Sequence, residues 1–374
     1  MGQSIPQPAR GFQAGVRWPL VRMNEIATLH YGKALTASDR RPGSVRVYGS
    51  NGQCGWHDMP LGAGPTVILG RKGQGPLGDE WCPWPFWVID TAYYVTVDIS
   101  RVYLRYFYFL TKFIGLNHLK DGTSNPSLSR DVFGQQGIPL PPRPIQRRIA
   151  SILSAYDDLI ENSQRRIKIL ESMARGLYRE WFVHFRFPGH ENHPRVPSPL
   201  GEIPKGWEVQ LLGDILELHY GKALKKDERR DGPFPVFGSS GIVGTHDTRL
   251  VKGPGIVVGR KGNVGSVFWS DEDFFVIDTA FYVTSSLPLR FLFYVLPTLN
   301  FINSDAAVPG LSRNQAYALK ILVPPMSTLA TFCNLANIFE SQAATLLCQI
   351  QNLRRTRDLL LPRLLAGKVD LKEV

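Results

Sequence analysis

The chain has 374 residues, of which 43% are hydrophobic and 20% are charged, a composition that excludes an intrinsically disordered protein. Its length predicts two or three folded domains. The formal net charge of +11 favours a polyanionic partner, although a basic protein without a nucleic-acid role is an alternative that charge does not exclude.

The start of the chain and its hydropathy pattern predict a cytoplasmic protein. The opening segment MGQSIPQPARGFQAG lacks the apolar core of a signal peptide. No apolar run approaches the roughly 20 residues that a membrane helix needs. Cys54, Cys82, Cys333 and Cys348 show no CxxC spacing, so we expect reduced and buried side chains.

From residue 30 onwards the chain repeats itself. Three motifs recur at an offset of 189: HYGKAL at 30–35 and 219–224, YGSNG and FGSSG at 48–52 and 237–241, and GRKG at 70–73 and 259–262. The offset then shortens before two further matches: VIDTAYYVT and VIDTAFYVT at 88–96 and 276–284, and Leu-Ser-Arg at 128–130 and 311–313. A unit of about 185 residues is far too long for a solenoid, so the repeat predicts a duplicated domain.

Each copy begins with short segments that are typical of a mixed α/β domain. Thr66–Gly70 and Gly255–Gly259 are β-branched runs closed by glycine, which predicts short strands. Glycine-rich turns separate these runs from their neighbours. The apolar segments Val102–Leu119 and Leu289–Ile302 then predict helices.

A long helical segment follows the proline pair that ends each domain. In the first segment apolar residues recur every three or four positions: Ile149, Ile152, Tyr156, Leu159 or Ile160, Ile167, Leu170, Leu177 and Trp181. The second segment has the same spacing: Leu329, Phe332, Ala336, Phe339, Ala343, Leu346, Ile350 and Leu353. This spacing predicts coiled-coil helices of about 40 residues, each roughly 60 Å long.

Two such helices in one chain can bury each other's apolar stripe, which a single helix cannot do for itself. The segment between them, Pro188–Gly206, contains five prolines and no periodicity, which predicts an extended connection. This connection lets the second domain begin at the far end of the first helix, so we expect antiparallel helices. Packing of each helix on its own domain is the alternative.

The sequence therefore predicts an α+β fold of two mixed α/β domains, each followed by a long helix, with the helices paired as an antiparallel coiled-coil spacer. The expected boundaries are 1–143 for the first domain, 144–187 for its helix, 188–206 for the proline-rich linker, 207–325 for the second domain, and 326–374 for the second helix and tail. Two basic domains on a fixed spacer would contact two short DNA sites with an unread gap. Because one chain carries both domains, the two sites are free to differ.

The helical segments and the paired motifs together resemble one protein family. QRRIASILSAYDDLIENSQRRIKILESMARGLYREWFVHF at 146–185 looks like the central conserved helix of type I restriction–modification specificity subunits. LRRTRDLLLPRLLAGKVDL at 353–371 resembles their distal conserved region. HYGKAL, YGSNG, GRKG and the IDTA stretch are similar to motifs of one subfamily of target-recognition domains.

The resemblance implies that each domain recognises one half of a split, asymmetric target in double-stranded DNA. It also implies that the helices dock two methyltransferase subunits, to which restriction and motor subunits add. S-adenosylmethionine, ATP and Mg²⁺ are then expected on those partners, with no cofactor in this chain. Residues 326–345 lack the glutamine and dense charged pairs of residues 146–168, which leaves the equivalence of the two docking surfaces open.

Phosphate contacts need lysine or arginine, and base readout needs donors and acceptors on exposed turns. Arg71-Lys72 and the matched Arg260-Lys261 lie between glycines after an apolar run, which predicts an exposed, DNA-contacting turn with free backbone amides. An ordinary solvated basic turn is the alternative. The full set of candidate DNA-binding residues is Tyr31, Lys33, Ser50, Asn51, Arg71, Lys72, Arg130, Tyr220, Lys222, Ser239, Ser240, Arg260, Lys261 and Arg313.

Differences between the two copies indicate where unequal half-sites would be read. Asn51 is matched by Ser240, and asparagine can bond adenine bidentately whereas serine cannot. A simple turn residue is the alternative at both positions. Tyr31 and Tyr220 would stack on a base or bond a phosphate, or else be partly buried.

No catalytic motif stands out. The sequence lacks a P-loop, a dinucleotide fingerprint and the proline-proline-aromatic motif of adenine methyltransferases. His190 and His193 have no third ligand nearby in sequence, and His57 and His246 favour a turn-stabilising or DNA-facing role over a metal site. A methyltransferase or nuclease with unrecognised motifs, and a non-catalytic scaffold, remain the alternatives to a DNA-binding subunit.

Overall fold

The computed structural model describes residues 8–12, 18–301, 310–369 and 371. Residues 1–7 and 13–15 of the opening segment, and Ile302 of the second predicted apolar helix, lie outside this range. The chain divides into two units, the first made of Met1–Ser163 and Cys348–Val374, the second of Gln164–Leu347. None of the described helices has both the length and the apolar composition needed to span a membrane.

Short strands build the domain of the first unit. Its described strands are β1 (Leu20–Arg22), β2 (Ala27–Tyr31), β3 (Val45–Gly49), β4 (Gly52–His57), β5 (Thr66–Gly70), β6 (Asp79–Cys82), β7 (Phe86–Val88), β8 (Ala92–Val97), β9 (Lys120–Asp121), β10 (Ser127–Leu128) and β11 (Gly137–Pro139). Its helices are α1 (Leu104–Ile114), α2 (Arg130–Gly134) and the beginning of α3 (Arg143–Tyr178). Strands β2, β8, β5 and β6 form an antiparallel sheet in that order, and β4, β3 and β7 form a second sheet.

Strand β5 is covered on both faces. All five of its residues are buried, as the predicted β-branched run requires of an interior strand. Val67 and Leu69 share a core with α1, whereas Ile68 packs in a separate cluster with residues of the three-stranded sheet. Helix α1 is shorter than the apolar segment predicts, because Gly115 ends it with a φ of 67°.

The second unit repeats this architecture. Its described strands are β12 (Arg195–Ser198), β13 (Gly201–Pro204), β14 (Glu208–Leu211), β15 (Leu216–Tyr220), β16 (Phe234–Gly238), β17 (Gly241–His246), β18 (Gly255–Gly259), β19 (Val267–Ser270), β20 (Phe275–Val276), β21 (Ala280–Ser285) and β22 (Lys320–Val323). Its helices are α4 (Leu212–Ile215), α5 (Leu289–Val295), α6 (Arg313–Tyr317) and the beginning of α7 (Met326–Leu365). The sheet orders β15, β21, β18, β19 and β17, β16, β20 match those of the first unit strand for strand, so the repeated motifs mark a repeated fold.

The proline-rich segment is not the extended connection that its sequence predicts. β12 and β13 pair as an antiparallel hairpin, and Ile203 of β13 is buried in the core of the second unit. His190 and His193 hold this segment through contacts with the carbonyl oxygens of Phe187 and Lys205, each at 2.8 Å. Proline fits here because β12 and β13 pair only with each other, so neither lies inside a larger sheet.

The two long helices pack against each other within each unit. In the first unit Ile149 and Leu153 of α3 share a core with Leu364 and Leu365 of α7. In the second unit Ala174, near the end of α3, shares a core with residues near the start of α7: Leu329, Phe332 and Ala336. The early part of one helix thus meets the late part of the other, which confirms the antiparallel pairing and the predicted α+β fold class.

Burial along the helices refines the predicted seam. Of the two alternatives at one position, Ile160 is buried and Leu159 is exposed.

Among the cysteines, Cys82 and Cys333 are buried as predicted, whereas Cys54 and Cys348 are exposed. All four are free thiols.

Candidate nucleic-acid interface

The GRKG turn of the first unit leaves β5 and is held from two sides. The backbone amides of Arg71 and Lys72 both donate to the carbonyl oxygen of Thr91, at 2.9 and 3.2 Å. The carbonyl oxygen of Arg71 accepts a hydrogen bond from the amide of Leu128 at 2.8 Å. The predicted free amides are therefore wrong, and the turn is fixed by its neighbours so that its side chains leave from a rigid base.

The side chains of three predicted residues meet at this turn. The guanidinium carbon of Arg71 lies 4.6 Å from the centroid of the Tyr31 ring, and that of Arg130 lies 4.3 Å from the same centroid. The Tyr31 residue is 45% exposed. We call Tyr31, Arg71 and Arg130 the first Tyr–Arg cluster.

Local structure explains why these residues converge. Tyr31 is the last residue of β2 and pairs with Tyr93 of β8, whereas Arg71 directly follows β5, the other neighbour of β8. Arg130 is the first residue of α2, whose N-cap Ser129 accepts hydrogen bonds from two backbone amides of the helix. Burial and the nearby Tyr31 raise the pKa of the Tyr93 phenol to about 12, so the layer below the cluster stays neutral.

The second unit builds the same arrangement. The guanidinium carbons of Arg260 and Arg313 lie 4.8 and 4.6 Å from the Tyr220 ring centroid, and Tyr220 is 49% exposed. The amides of Arg260 and Lys261 donate to the Thr279 carbonyl oxygen at 2.9 and 3.0 Å. We call Tyr220, Arg260 and Arg313 the second Tyr–Arg cluster.

The four cluster arginines contact aromatic rings and backbone oxygens. Arg71 and Arg260 donate to the carbonyl oxygens of Asp90 and Asp278, at 2.9 and 3.0 Å. In the described part of the chain none of the four arginines forms an ion pair with a carboxylate. Among the described residues each cluster therefore places two guanidinium groups without a carboxylate partner around one exposed ring, an arrangement suited to anionic groups.

Lys33 and Lys222 emerge beside the clusters. Both side chains are exposed, and the backbone amide of each donates to a strand residue at 2.9 Å. The preceding glycine is required, because a Cβ at Gly32 or Gly221 would lie 2.1 Å from a backbone oxygen. Lys72 and Lys261 are half-buried and form β-bridges with the segments that lead to the second arginine of each cluster.

Ser50 and Ser239 do not fit the predicted role of base readers. The Ser50 hydroxyl lies within hydrogen-bonding distance of the carbonyl oxygens of Lys72 and Thr91, the latter at 2.6 Å. Ser239 is buried, and its carbonyl oxygen accepts from the Ser266 hydroxyl at 2.6 Å. Both serines connect the turn to its neighbours, so this prediction is corrected to a structural role.

Asn51 and Ser240, the next residues along, are exposed at the tips of these turns. The Asn263 amide donates to the Ser240 hydroxyl at 3.2 Å. In the first unit Gln74 follows the GRKG turn and donates to the carbonyl oxygen of Ser124 at 2.9 Å. Neither Gln74 nor Asn263 is singled out by a sequence motif, because both follow the GRKG motif at the point where the alignment of the two copies ends.

The matched histidines and a matched pair of arginines near them hold the fold. His57 and His246 are buried and accept hydrogen bonds from backbone amides at 3.1 and 3.2 Å, as turn-stabilising residues do. Arg40 and Arg229 donate to strand carbonyl oxygens at 2.7 and 2.6 Å. Over the described ranges no group of three His, Cys, Asp or Glu side chains is placed to hold a metal ion.

Comparison with known proteins links this paired arrangement to one family. The family described as "Type I restriction modification DNA specificity domain" matches residues 16–172 and 204–329. The chain is 28% identical over 304 residues to the type I restriction enzyme MjaIX specificity subunit of Methanocaldococcus jannaschii, which covers 72% of this chain and 69% of that protein. It is 22% identical over 379 residues to the type I restriction enzyme HindI specificity subunit of Haemophilus influenzae, covering 76% and 81%.

A solved structure has the same fold over nearly the whole chain. It is the S subunit of a type I restriction–modification system from M. genitalium, with a TM-score of 0.65 at 17% identity. The match covers 98% of this chain and 100% of that one.

Proposed function

The chain belongs to the family of type I restriction–modification DNA specificity subunits, and we propose that each of its two domains binds one half of a split DNA target through its Tyr–Arg cluster. A specificity subunit is not itself catalytic. Its contribution is to select the DNA sequence on which the other subunits act.

The observation that carries this proposal is the presence of the same cluster in both units. Two guanidinium groups around an exposed tyrosine can bond phosphate oxygens with good geometry, because arginine presents its donors in a planar fork. Contacts of this kind fix the position of a protein on the duplex without reading its sequence. The overall charge of +11 adds a long-range attraction for DNA.

We assign docking of two methyltransferase subunits to the long helices. Ile169 and Met173 of α3 are exposed, and their spacing of four places them on one face of the helix. Leu335 and Ile338 of α7 are exposed at a spacing of three. Neighbouring exposed apolar side chains on a helix offer a surface on which a partner protein can pack. Substituting Ile169→Glu and Met173→Glu should abolish co-elution with the methyltransferase subunit, whereas the neighbouring Lys168→Glu should not.

The remaining partners follow from this assembly. Restriction and motor subunits join the complex that the specificity and methyltransferase subunits form. S-adenosylmethionine, ATP and Mg²⁺ bind to these partner subunits. A subunit that selects chromosomal DNA sites would work in the cytoplasm, in agreement with the sequence-based expectation. Loss of co-elution alone, with DNA binding intact, would separate a docking role from a DNA-binding one.

The DNA-binding assignment is tested by salt dependence. Binding to a labelled DNA duplex of arbitrary sequence is measured by fluorescence anisotropy over a series of salt concentrations. The double variant Arg71→Ala/Arg130→Ala should lower the slope of log Kd against log salt by about 0.9 for each lost phosphate contact. The matched double variant Arg175→Ala/Arg249→Ala removes two ion-paired arginines instead and should leave the slope unchanged.

Equal slopes for the two double variants would mean that the first Tyr–Arg cluster does not contact phosphate. A purified chain that transfers methyl groups from S-adenosylmethionine on its own would contradict the non-catalytic assignment.

A further inference from the structure

The two copies can be compared position by position. A residue that is the same in both copies cannot account for a difference in sequence preference between two half-sites. The Tyr–Arg clusters are common to both units in residue type and in geometry. Selectivity between half-sites must therefore arise at exposed positions that differ between the copies. Such positions need to lie beside the clusters to reach the same stretch of DNA.

One such place is the loop that begins with the GRKG turn. In the first unit Leu69 pairs with Asp79, which leaves nine residues, 70–78, in the loop. In the second unit Val258 pairs with Val267, which leaves eight residues, 259–266. The strands on either side keep the same register, so the extra residue changes only the loop.

The tip of the neighbouring turn meets this loop. In the first unit Gly49 pairs with Gly52 and in the second Gly238 pairs with Gly241, so both turns have two residues at the tip. The amide of Gly78, in the loop, donates to the Ser50 carbonyl oxygen at 2.6 Å. The two segments therefore form one surface, which starts at a cluster arginine.

The side chains on this surface differ in how many of their hydrogen-bond donors and acceptors are still available to a ligand. Asn51 is exposed and makes no side-chain hydrogen bond with the described residues, so its amide keeps both a donor and an acceptor. Gln74 uses one N–H on the carbonyl oxygen of Ser124, and Lys120 fixes the loop by donating to Gly73 and Gly75. In the second unit Asn263 and Ser240 are already bonded to each other.

An asparagine amide with a free donor and a free acceptor fits the N6 and N7 positions of adenine in the major groove, which a serine hydroxyl cannot match. We propose that Asn51 and Gln74 read bases in the first half-site, with Asn51 recognising an adenine, and that Ser240 and Asn263 read the second half-site. This inference rests on the proposed function of the two domains. It names the residues at which their selectivity diverges.

The experiment maps methylated motifs by sequencing the DNA of a host that has no other methyltransferase. The host expresses the full chain with its methyltransferase and restriction partners. Asn51→Ser places at the tip the residue that the second copy carries at the matched position, so the turn should fold. We expect one adenine of one half-site to lose discrimination by about one to two orders of magnitude, with the other half-site unchanged.

The reciprocal variant Ser240→Asn should alter the other half-site only. Asn192→Ser, an exposed asparagine in the segment after α3, is the matched control and should leave the motif as it is. An unchanged motif in both tip variants would overturn the proposal, as would equal losses at every position of both half-sites. A wild-type complex that yields no two-part motif would instead contradict the proposed function itself.

Discussion

Asp157 of α3 accepts a hydrogen bond from Arg357 of α7 at 2.7 Å, although the two residues are 200 positions apart in the chain. The second oxygen of the same carboxylate lies 3.3 Å from the guanidinium of Arg105, in α1. One half-buried carboxylate thus joins the first domain to both long helices.

The substitution Asp157→Asn should lower the free energy of unfolding by about 1–3 kcal/mol, because it leaves the shielded Arg105 guanidinium without its carboxylate partner and leaves Arg357 with only its ion pair to Asp358. Urea denaturation followed by circular dichroism measures this change. Glu171→Gln breaks an exposed ion pair with Arg175 on the same helix and should cost less than about 0.5 kcal/mol. Equal effects of the two substitutions would show that Asp157 is an ordinary surface residue.

Asp79 predicts a pH dependence of stability. Both of its carboxyl oxygens are buried, and this burial raises the pKa of the carboxyl group to about 7. The folded state therefore holds a proton that the unfolded state releases near pH 4. Stability from this group is full below about pH 4, falls as the pH rises towards 7, and is then constant.

The substitution Asp79→Asn should remove this dependence, and at pH 8 it should stabilise the protein by up to about 4 kcal/mol relative to wild type. Thermal melts of both proteins between pH 4 and pH 8 measure the difference. The matched position in the second unit is Val267, which has no titratable group. Parallel curves for the two proteins would contradict the prediction.

We expect the aromatic face of Tyr31 to contribute more to DNA affinity than its hydroxyl group does. Tyr31→Phe keeps a surface for the two guanidinium groups, so we expect DNA affinity close to wild type. Tyr31→Ala removes that surface and frees both arginines, which should weaken binding about three- to tenfold. Fluorescence anisotropy at constant salt distinguishes the two. An equal loss of affinity in Tyr31→Phe and Tyr31→Ala would instead show that the hydroxyl makes the contact that matters.

Arg290 is a nearly buried arginine, for which we expect a structural role in the second unit and no contact with DNA. It is 9% exposed, lies 3.7 Å from the centroid of the Trp269 ring, and donates to Asn337 of α7 at 3.0 Å. Arg290→Lys loses the planar stacking, so the second unit should be destabilised by about 1–3 kcal/mol in urea denaturation. Arg249→Lys, at an exposed ion pair, should change stability by less than about 0.5 kcal/mol. Loss of DNA binding without loss of stability in Arg290→Lys would overturn this assignment.

Much of the architecture could be predicted because the sequence contains two copies of the domain and of the long helix that follows it. Matched motifs such as GRKG gave the duplication, and the spacing of residues such as Phe332 and Ala336 gave the helical seam. All six residues of the Tyr–Arg clusters were among the predicted candidates. Their convergence was not predictable, because it depends on which strands are neighbours in the sheet.

Other features escaped prediction for physical reasons. The hairpin of β12 and β13 has no periodic pattern, since its prolines mask the alternation and only Ile203 and Pro204 are buried. The structural role of Ser50 depends on carbonyl oxygens that are 22 and 41 residues away in sequence. The antiparallel pairing of the helices was predicted from the premise of an extended connection. This premise is wrong, because the segment between the helices folds into a hairpin.

The core of the first unit is built from two stretches of chain that are far apart in sequence. Leu364 and Leu365 are buried in the same core as Val67 and Leu69, whereas the second unit is one continuous stretch, Gln164–Leu347. During synthesis the chain leaves the ribosome from its N-terminus onwards. The core of the unit that is translated first can therefore be completed only after the whole second unit has been made.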